Sequence, residues 1–93
     1  RGTDQEGSRM QPIHELLNRI KWDQDFGQGD FTVGYYDRIL DRIVTVPMRA
    51  LHFDPDDRFR FQVVDAAGEI HAVPYHRVRV VCKNGRPIWQ RKR

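Results

Sequence analysis

Two periods alternate along the chain. Ile13, Leu16, Leu17 and Ile20 fall at i, i+3, i+4 and i+7, the apolar stripe of an amphipathic helix. They predict a helix over "QPIHELLNRIKWD" (11–23), with Pro12 in the first turn, where its missing N–H costs nothing. His14, Glu15, Asn18 and Arg19 take the polar faces. Trp22 lies about half a turn from the stripe. The expectation is that the helix stops before it and the indole folds back to pack; the alternative is an indole facing solvent or a ligand. "DQDFGQGD" (23–30) reads as a loop.

From residue 31 the period shortens to two. "FTVGYYDR" sets Phe31, Val33 and Tyr35 against Thr32, Gly34 and Tyr36, and "RIVTVP" and "LHF" follow across 42–53. "DPDD" (54–57) is a turn. "RFRFQVV" (58–64) places Phe59, Phe61 and Val63 inward, with Arg58, Arg60 and Gln62 outward. "DAAG" (65–68) turns into "EIHAVP". "RVRVV" puts Val78 and Val80 on one face and Arg77 and Arg79 on the other. "KNG" (83–85) is a hairpin signal before "RPIWQRK".

One stretch echoes another. Ile43, Val46, Pro47, Leu51 and Phe53 match Ile70, Val73, Pro74, Val78 and Val80 at a constant offset of 27. Each copy reads as a strand, a proline-broken corner and a strand leaving in a new direction, because proline cannot serve a central ladder position. The predicted fold class is α+β. One N-terminal helix packs on a strongly bent, mainly antiparallel sheet of five or six strands, curved enough to approach a barrel. Residues 10–93 form one domain on this reading. The polar "RGTDQEGSR" (1–9) is a flexible leader or an extension added ahead of a natural start at Met10.

Composition narrows the function classes. At 39% hydrophobic and 31% charged residues, the chain matches a globular domain rather than a disordered tail. No apolar run is long enough for a transmembrane helix, and no signal peptide is visible. The single cysteine, Cys82, excludes a disulfide framework, reads as a buried or half-buried strand residue, and makes a reducing cytoplasm the expected compartment. Charge is polarised. Residues 1–57 carry seven Lys/Arg against eleven Asp/Glu, and residues 58–93 carry nine against two, so the C-terminal part is +7. Arginine outnumbers lysine 13 to 3, and its planar fork suits bidentate phosphate contacts and stacking on bases. Such a polarised, arginine-rich surface favours a polyanionic partner.

Two short elements set an ionisable pair beside a tyrosine at a strand end: Tyr36-Asp37-Arg38 and Tyr75-His76-Arg77. Arginine and histidine together offer N–H donors to a phosphate, and a tyrosine beside them can stack on a base. Asp37 is placed to orient the Arg38 guanidinium, or simply to form a surface ion pair with it. Arg58, Arg60, Arg77 and Arg79 would form a cationic ladder if their strands share a sheet. The four histidines lack metal-ligand spacing, and nothing points to a cofactor. The only serine is Ser8, which leaves no nucleophile of the serine-hydrolase kind.

"ELLNRIKWD" (15–23), "YYDR" (35–38), "VPYHRVR" (73–79) and "NGRPIWQR" (84–91) together resemble the family once catalogued as domain of unknown function 504 and since renamed the RNA cyclic group end recognition domain. The resemblance spans residues 10–91. It implies recognition of RNA ends, 2′,3′-cyclic phosphates in particular, in RNA processing or repair. By position it implicates Asp37, Arg38, Tyr75, His76 and Arg77, with Trp22 and Asp23 at the helix end. One departure stands out: a glycine is expected after the Asp-Arg pair, and this chain has Ile39-Leu40.

The leading expectation is a non-catalytic RNA-binding module. Arg38, His76 and Arg77 would hold a terminal phosphate, with Asp37, Arg79 and Arg60 adding polar contacts and Tyr75, Trp22 or Tyr36 stacking or walling the site. The two basic tips are expected to meet in one pocket. A protein-interaction adaptor and an RNA phosphodiesterase using His76 with a second histidine are the alternatives.

Overall fold

A computed structural model describes residues 12–91; the expected leader and Met10 lie outside them. Helix α1 spans Ile13–Trp22 and buries Ile13, Leu16, Leu17 and Ile20, the four stripe positions. It starts where the Pro12 carbonyl accepts from the Glu15 and Leu16 N–H groups at 3.0 and 3.1 Å. It stops at Asp23, whose carboxylate accepts from the Asp25 and Phe26 N–H groups, both at 3.1 Å. The loop then returns so closely that a Cβ at Gly27 would lie 2.3 Å from the Ile20 carbonyl oxygen, and only glycine fits. The helix therefore runs through Trp22 instead of ending before it. Its indole stays on the solvent side, 70% exposed, and does not fold back as expected.

Seven antiparallel strands follow, in two sheets rather than one. Strands β1 (Phe31–Asp37), β2 (Arg42–Pro47), β6 (Val78–Lys83) and β7 (Arg86–Gln90) form the larger sheet, in the order β2-β1-β6-β7. Strands β3 (Leu51–His52), β4 (Arg60–Val64) and β5 (Ile70–Pro74) form the smaller, in the order β3-β4-β5. The α+β class and the N-terminal helix are as predicted, and the sheets do not close into a barrel.

The 27-residue echo has a structural counterpart. After Pro47 the chain makes a 3₁₀ turn (Met48–Ala50), and after Pro74 it makes another (Tyr75–Arg77). The first carries the chain from the larger sheet to the smaller, the second carries it back. One hydrophobic cluster joins the layers: Leu17 from α1, Val33, Val78 and Val81 from the larger sheet, and Leu51, Phe61 and Val63 from the smaller are all at most 1% exposed.

A bulge corrects the expected facing of β6. Gly34 pairs with Val80 but Tyr35 pairs with Val78, so Arg79 is the extra residue. Val78 and Val81 consequently share the core face, while Val80 and Arg79 are half-buried. Regular alternation would have kept Val78 and Val80 together. The cationic ladder does not form, because Arg60 lies in the smaller sheet, Arg79 lies in the larger, and Arg77 is in the corner turn. The β6–β7 hairpin turns through Asn84 (φ 52°) and Gly85 (φ 84°), two consecutive left-handed residues of the kind a two-residue hairpin requires. Cys82 is half-buried on β6.

Candidate functional site

The second corner is held from several sides. The Tyr75 N–H donates to the Phe59 carbonyl at 2.9 Å, fastening the turn to the segment leading into β4. An Arg79 Nη donates to the His76 carbonyl at 3.0 Å, and Arg91 Nε donates to the Val78 carbonyl at 2.9 Å. The second Arg91 Nη lies 3.5 Å from the Tyr75 carbonyl. Two arginines thus secure the corner's backbone. The His76 side chain makes no hydrogen bond or ion pair among the described residues and is exposed.

The segment facing that corner is set by one carboxylate. Asp57 accepts from the Phe59 N–H at 3.0 Å and the Arg60 N–H at 3.1 Å, and from Arg60 Nε at 3.0 Å. The Phe59 N–H first, then the other donors, hold its carboxyl below the usual range. This tie delays the strand to Arg60 and leaves Phe59 79% exposed, where alternation alone had placed it in the core.

Between the two segments and the start of α1 lies a cleft of about 700 Å³. Its cationic and imidazole groups are His14, Arg58, Arg60, His76 and Arg91, and its aromatic surfaces are Phe59, Tyr75 and Trp89. Tyr75 and Trp89 are buried and form the floor, while Phe59 stands free. The His14 ring meets Tyr75 edge-on at 6.2 Å, and burial raises the Tyr75 hydroxyl's pKa. Arg58 makes no ion pair among the described residues. The volume suits a nucleotide, and the lining combines an apolar bed with a few charged donors, the usual composition of a ligand pocket. A neighbouring groove shares His14, Arg58, Phe59 and Tyr75 and continues past Asn18.

Of the residues singled out in the sequence, Tyr75, His76 and Arg60 line this cleft. Arg79 backs it through the His76 carbonyl, and Arg77 is half-buried on the same corner. The other tip is arranged differently. Asp37 accepts from the Ile39 and Leu40 N–H groups at 2.9 and 3.1 Å. It caps its own hairpin and forms no ion pair with Arg38 among the described residues. With no glycine in this turn, the left-handed residue is Asp41 (φ 55°), and Ile39 projects 94% exposed. Arg38 and Trp22 do not line the cleft. His14, Arg58, Phe59, Trp89 and Arg91 were not among the selected residues. The "DPDD" turn carried a signal for Phe59, since an Asp that captures the N–H groups two and three residues on extends the turn beyond itself.

A second groove, of about 710 Å³, separates the sheets on another side. Its walls include Val44, Val46, Val63 and Val64, with the Ile39–Leu40 tip at its rim. Asp37, Asp65 and His71 also line it. Asp65 accepts from the Ala67 and Glu69 N–H groups, both at 2.9 Å, and pairs with His71 Nε2 at 2.7 Å. Asp65, Glu69 and His71 offer atoms within 4.8 Å of one another, but the Asp65 oxygens are already engaged in closing the β4–β5 turn.

The Asp65–His71 bond raises the His71 pKa and, with the N–H of Glu69, lowers that of Asp65. Its stabilisation is full between the ordinary values of 3.8 and 6.5. It is lost as pH rises through the raised histidine value and as pH falls through the lowered carboxylate value. His71→Ala is therefore expected to lower Tm most near pH ~5 and least near pH ~9. A pH series of thermal melts checks this, and a larger deficit at the alkaline end refutes it.

The fold and cleft define a small α+β domain with a basic, aromatic-floored cleft. The chain belongs to the family described as the MJ1316 RNA cyclic group end recognition domain, which it matches over residues 10–91. That description makes RNA ends the ligand class of the family. No solved structure matches the chain. No helix among the described residues is long and apolar enough to cross a membrane.

Proposed function

We propose that the domain is a non-catalytic reader of RNA termini in RNA processing or repair, holding a terminal phosphate, the 2′,3′-cyclic form in particular. The carrying observation is the cleft in which His76, Arg58 and Arg60 converge over an aromatic floor. His76 and the two arginines donate to the phosphate oxygens, Arg77 and Arg79 add positive potential behind them, and exposed Phe59 stacks on the last base. A cyclic phosphate carries one negative charge and no free 2′-hydroxyl, so a site with few unpaired cations and apolar walls suits it better than a doubly charged monoester. Fluorescence titration with short RNAs ending in cyclic phosphate, linear phosphate or hydroxyl tests this. The cyclic end is expected to bind tightest, with affinity falling as salt rises. Equal affinity for the three ends removes end recognition.

One observation supports a second reading. His14 and His76 share the cleft, and such a pair can serve as general base and general acid in hydrolysis of a cyclic phosphate. One imidazole would take the proton of an attacking water while the protonated partner gives one to the departing 2′ oxygen, breaking the P–O2′ bond. Phosphorus NMR of a cyclic-ended RNA incubated with the protein separates the readings: an unchanged spectrum supports recognition, and a new monoester signal supports hydrolysis. The adaptor alternative draws its support from the exposed Ile39–Leu40 tip beside the apolar groove.

A further inference from the structure

We infer that Tyr36, with Arg38 and Arg79, forms a second nucleotide subsite, which takes the residue preceding the RNA terminus as the strand leaves the cleft. The inference rests on the RNA-end reading above and reassigns the Tyr36-Asp37-Arg38 element from the terminal phosphate to the next nucleotide.

The sheet geometry creates the platform. Strand β1 sends Phe31, Val33 and Tyr35 into the core, so Thr32, Gly34 and Tyr36 face the opposite side of the larger sheet. Helix α1 and the smaller sheet belong to the core side. The Tyr36 ring is therefore presented on an outer face, and its hydroxyl is anchored to the Asp41 carboxylate. Beside it Gly34 has no side chain, and Val80 and Ile43 close over the space. A Cβ there would meet Val80 Cγ1 at 2.7 Å and Ile43 Cγ2 at 3.2 Å. The result is an apolar surface at the edge of an aromatic ring, which a base can cover.

One guanidinium group stands against the ring, and a second lies on the turn that follows the strand. The β6 bulge is what brings Arg79 there, with its Cζ 5.8 Å from the Tyr36 centroid. Without the extra residue, alternation from Val81 would have aimed residue 79 inward and residue 78 outward. Arg38 lies close enough for its charge, like that of Arg79, to act on the Tyr36 hydroxyl. Because Asp37 is committed to the Ile39 and Leu40 N–H groups, Arg38 remains exposed and without an ion pair among the described residues. An aromatic ring with one arginine against it and another nearby, on an open sheet face, is an arrangement that binds single-stranded bases and their phosphates.

Arg79 also makes the two subsites neighbours. The same guanidinium that faces Tyr36 donates to the His76 carbonyl at 3.0 Å, so the cleft's corner and the platform are one side chain apart. Consecutive nucleotides of an extended strand can occupy both.

The test compares a nucleoside 2′,3′-cyclic phosphate with di- and tetranucleotides carrying the same end, titrated against the wild type, Tyr36→Ala and Tyr36→Phe. The dinucleotide is expected to bind the wild type about tenfold or more tighter than the mononucleotide, the range of one base stacked on an aromatic side chain. Tyr36→Ala is expected to erase that gain while leaving mononucleotide affinity in place, and Tyr36→Phe to keep it. A dinucleotide no tighter than the mononucleotide overturns the subsite and leaves end recognition standing. So does a Tyr36→Ala loss equal for both probes. No binding of any cyclic-ended probe overturns both readings.

Discussion

Phe61→Ala is expected to destabilise the domain by about 3–5 kcal/mol, the range for emptying a fully enclosed aromatic site. Phe61 is 1% exposed, with its ring 5.2 Å from Tyr75 and 6.3 Å from Phe53. Small domains hold only about 5–15 kcal/mol in total, so the loss is a large share of the whole. It also removes the support beneath Tyr75, which floors the cleft. Urea unfolding followed by tryptophan fluorescence measures the effect, since Trp89 is buried and Trp22 exposed. A shift below about 1 kcal/mol would mean that this layer is far less tightly packed than its burial indicates.

The second large effect concerns binding. Arg58→Ala combined with His76→Ala is expected to weaken a cyclic-ended RNA by about 100-fold or more, since a hydrogen bond to a charged group contributes about 1.5–3 kcal/mol. Both side chains lack protein partners among the described residues, so removing them leaves no buried group stranded and stability should change little. The dependence of affinity on salt should also become shallower, by about 0.7 in log–log slope for each phosphate of a single strand that is no longer neutralised. Unchanged affinity in a folded double variant would place the phosphate elsewhere. Arg60 is less clean for this purpose, because its Nε holds Asp57 and its loss would disturb the turn that presents Phe59.

The helix stripe and the two proline corners were legible because each depends on residues close together in the chain. Ile13, Leu16, Leu17 and Ile20 declare their face by spacing alone, and the offset of 27 marked both corners. The errors arose where a partner decides. Val80 leaves the core face of Val78 because β6 bulges against β1, a register that no local alternation contains. Phe59 turns outward because Asp57 captures backbone groups two and three residues ahead. Trp22 stays exposed because the helix continues two residues past Ile20, the last of its stripe, and carries the indole on its solvent side. The candidate site divides in the same way. His76 and Arg60 were picked out in the sequence as candidates, but their proximity comes from the pairing of Arg60 with Pro74 across the smaller sheet, a register that no local pattern states. His14 and Arg58 enter only through that packing.

The two crossings between sheets give the domain an order of completion. The larger sheet is assembled from chain on either side of the smaller one, and β1 cannot pair with β6 until the whole of β3 to β5 has been accommodated between them. That closure spans a long loop and is costly until it is rewarded by packing. The corner bearing His76 lies at this seam, immediately ahead of β6. A nascent or truncated polypeptide that stops short of β6 would keep Tyr75 and its tie to the Phe59 carbonyl but lack Arg79, Trp89 and Arg91. The cleft would then be completed only as the β6–β7 hairpin docks.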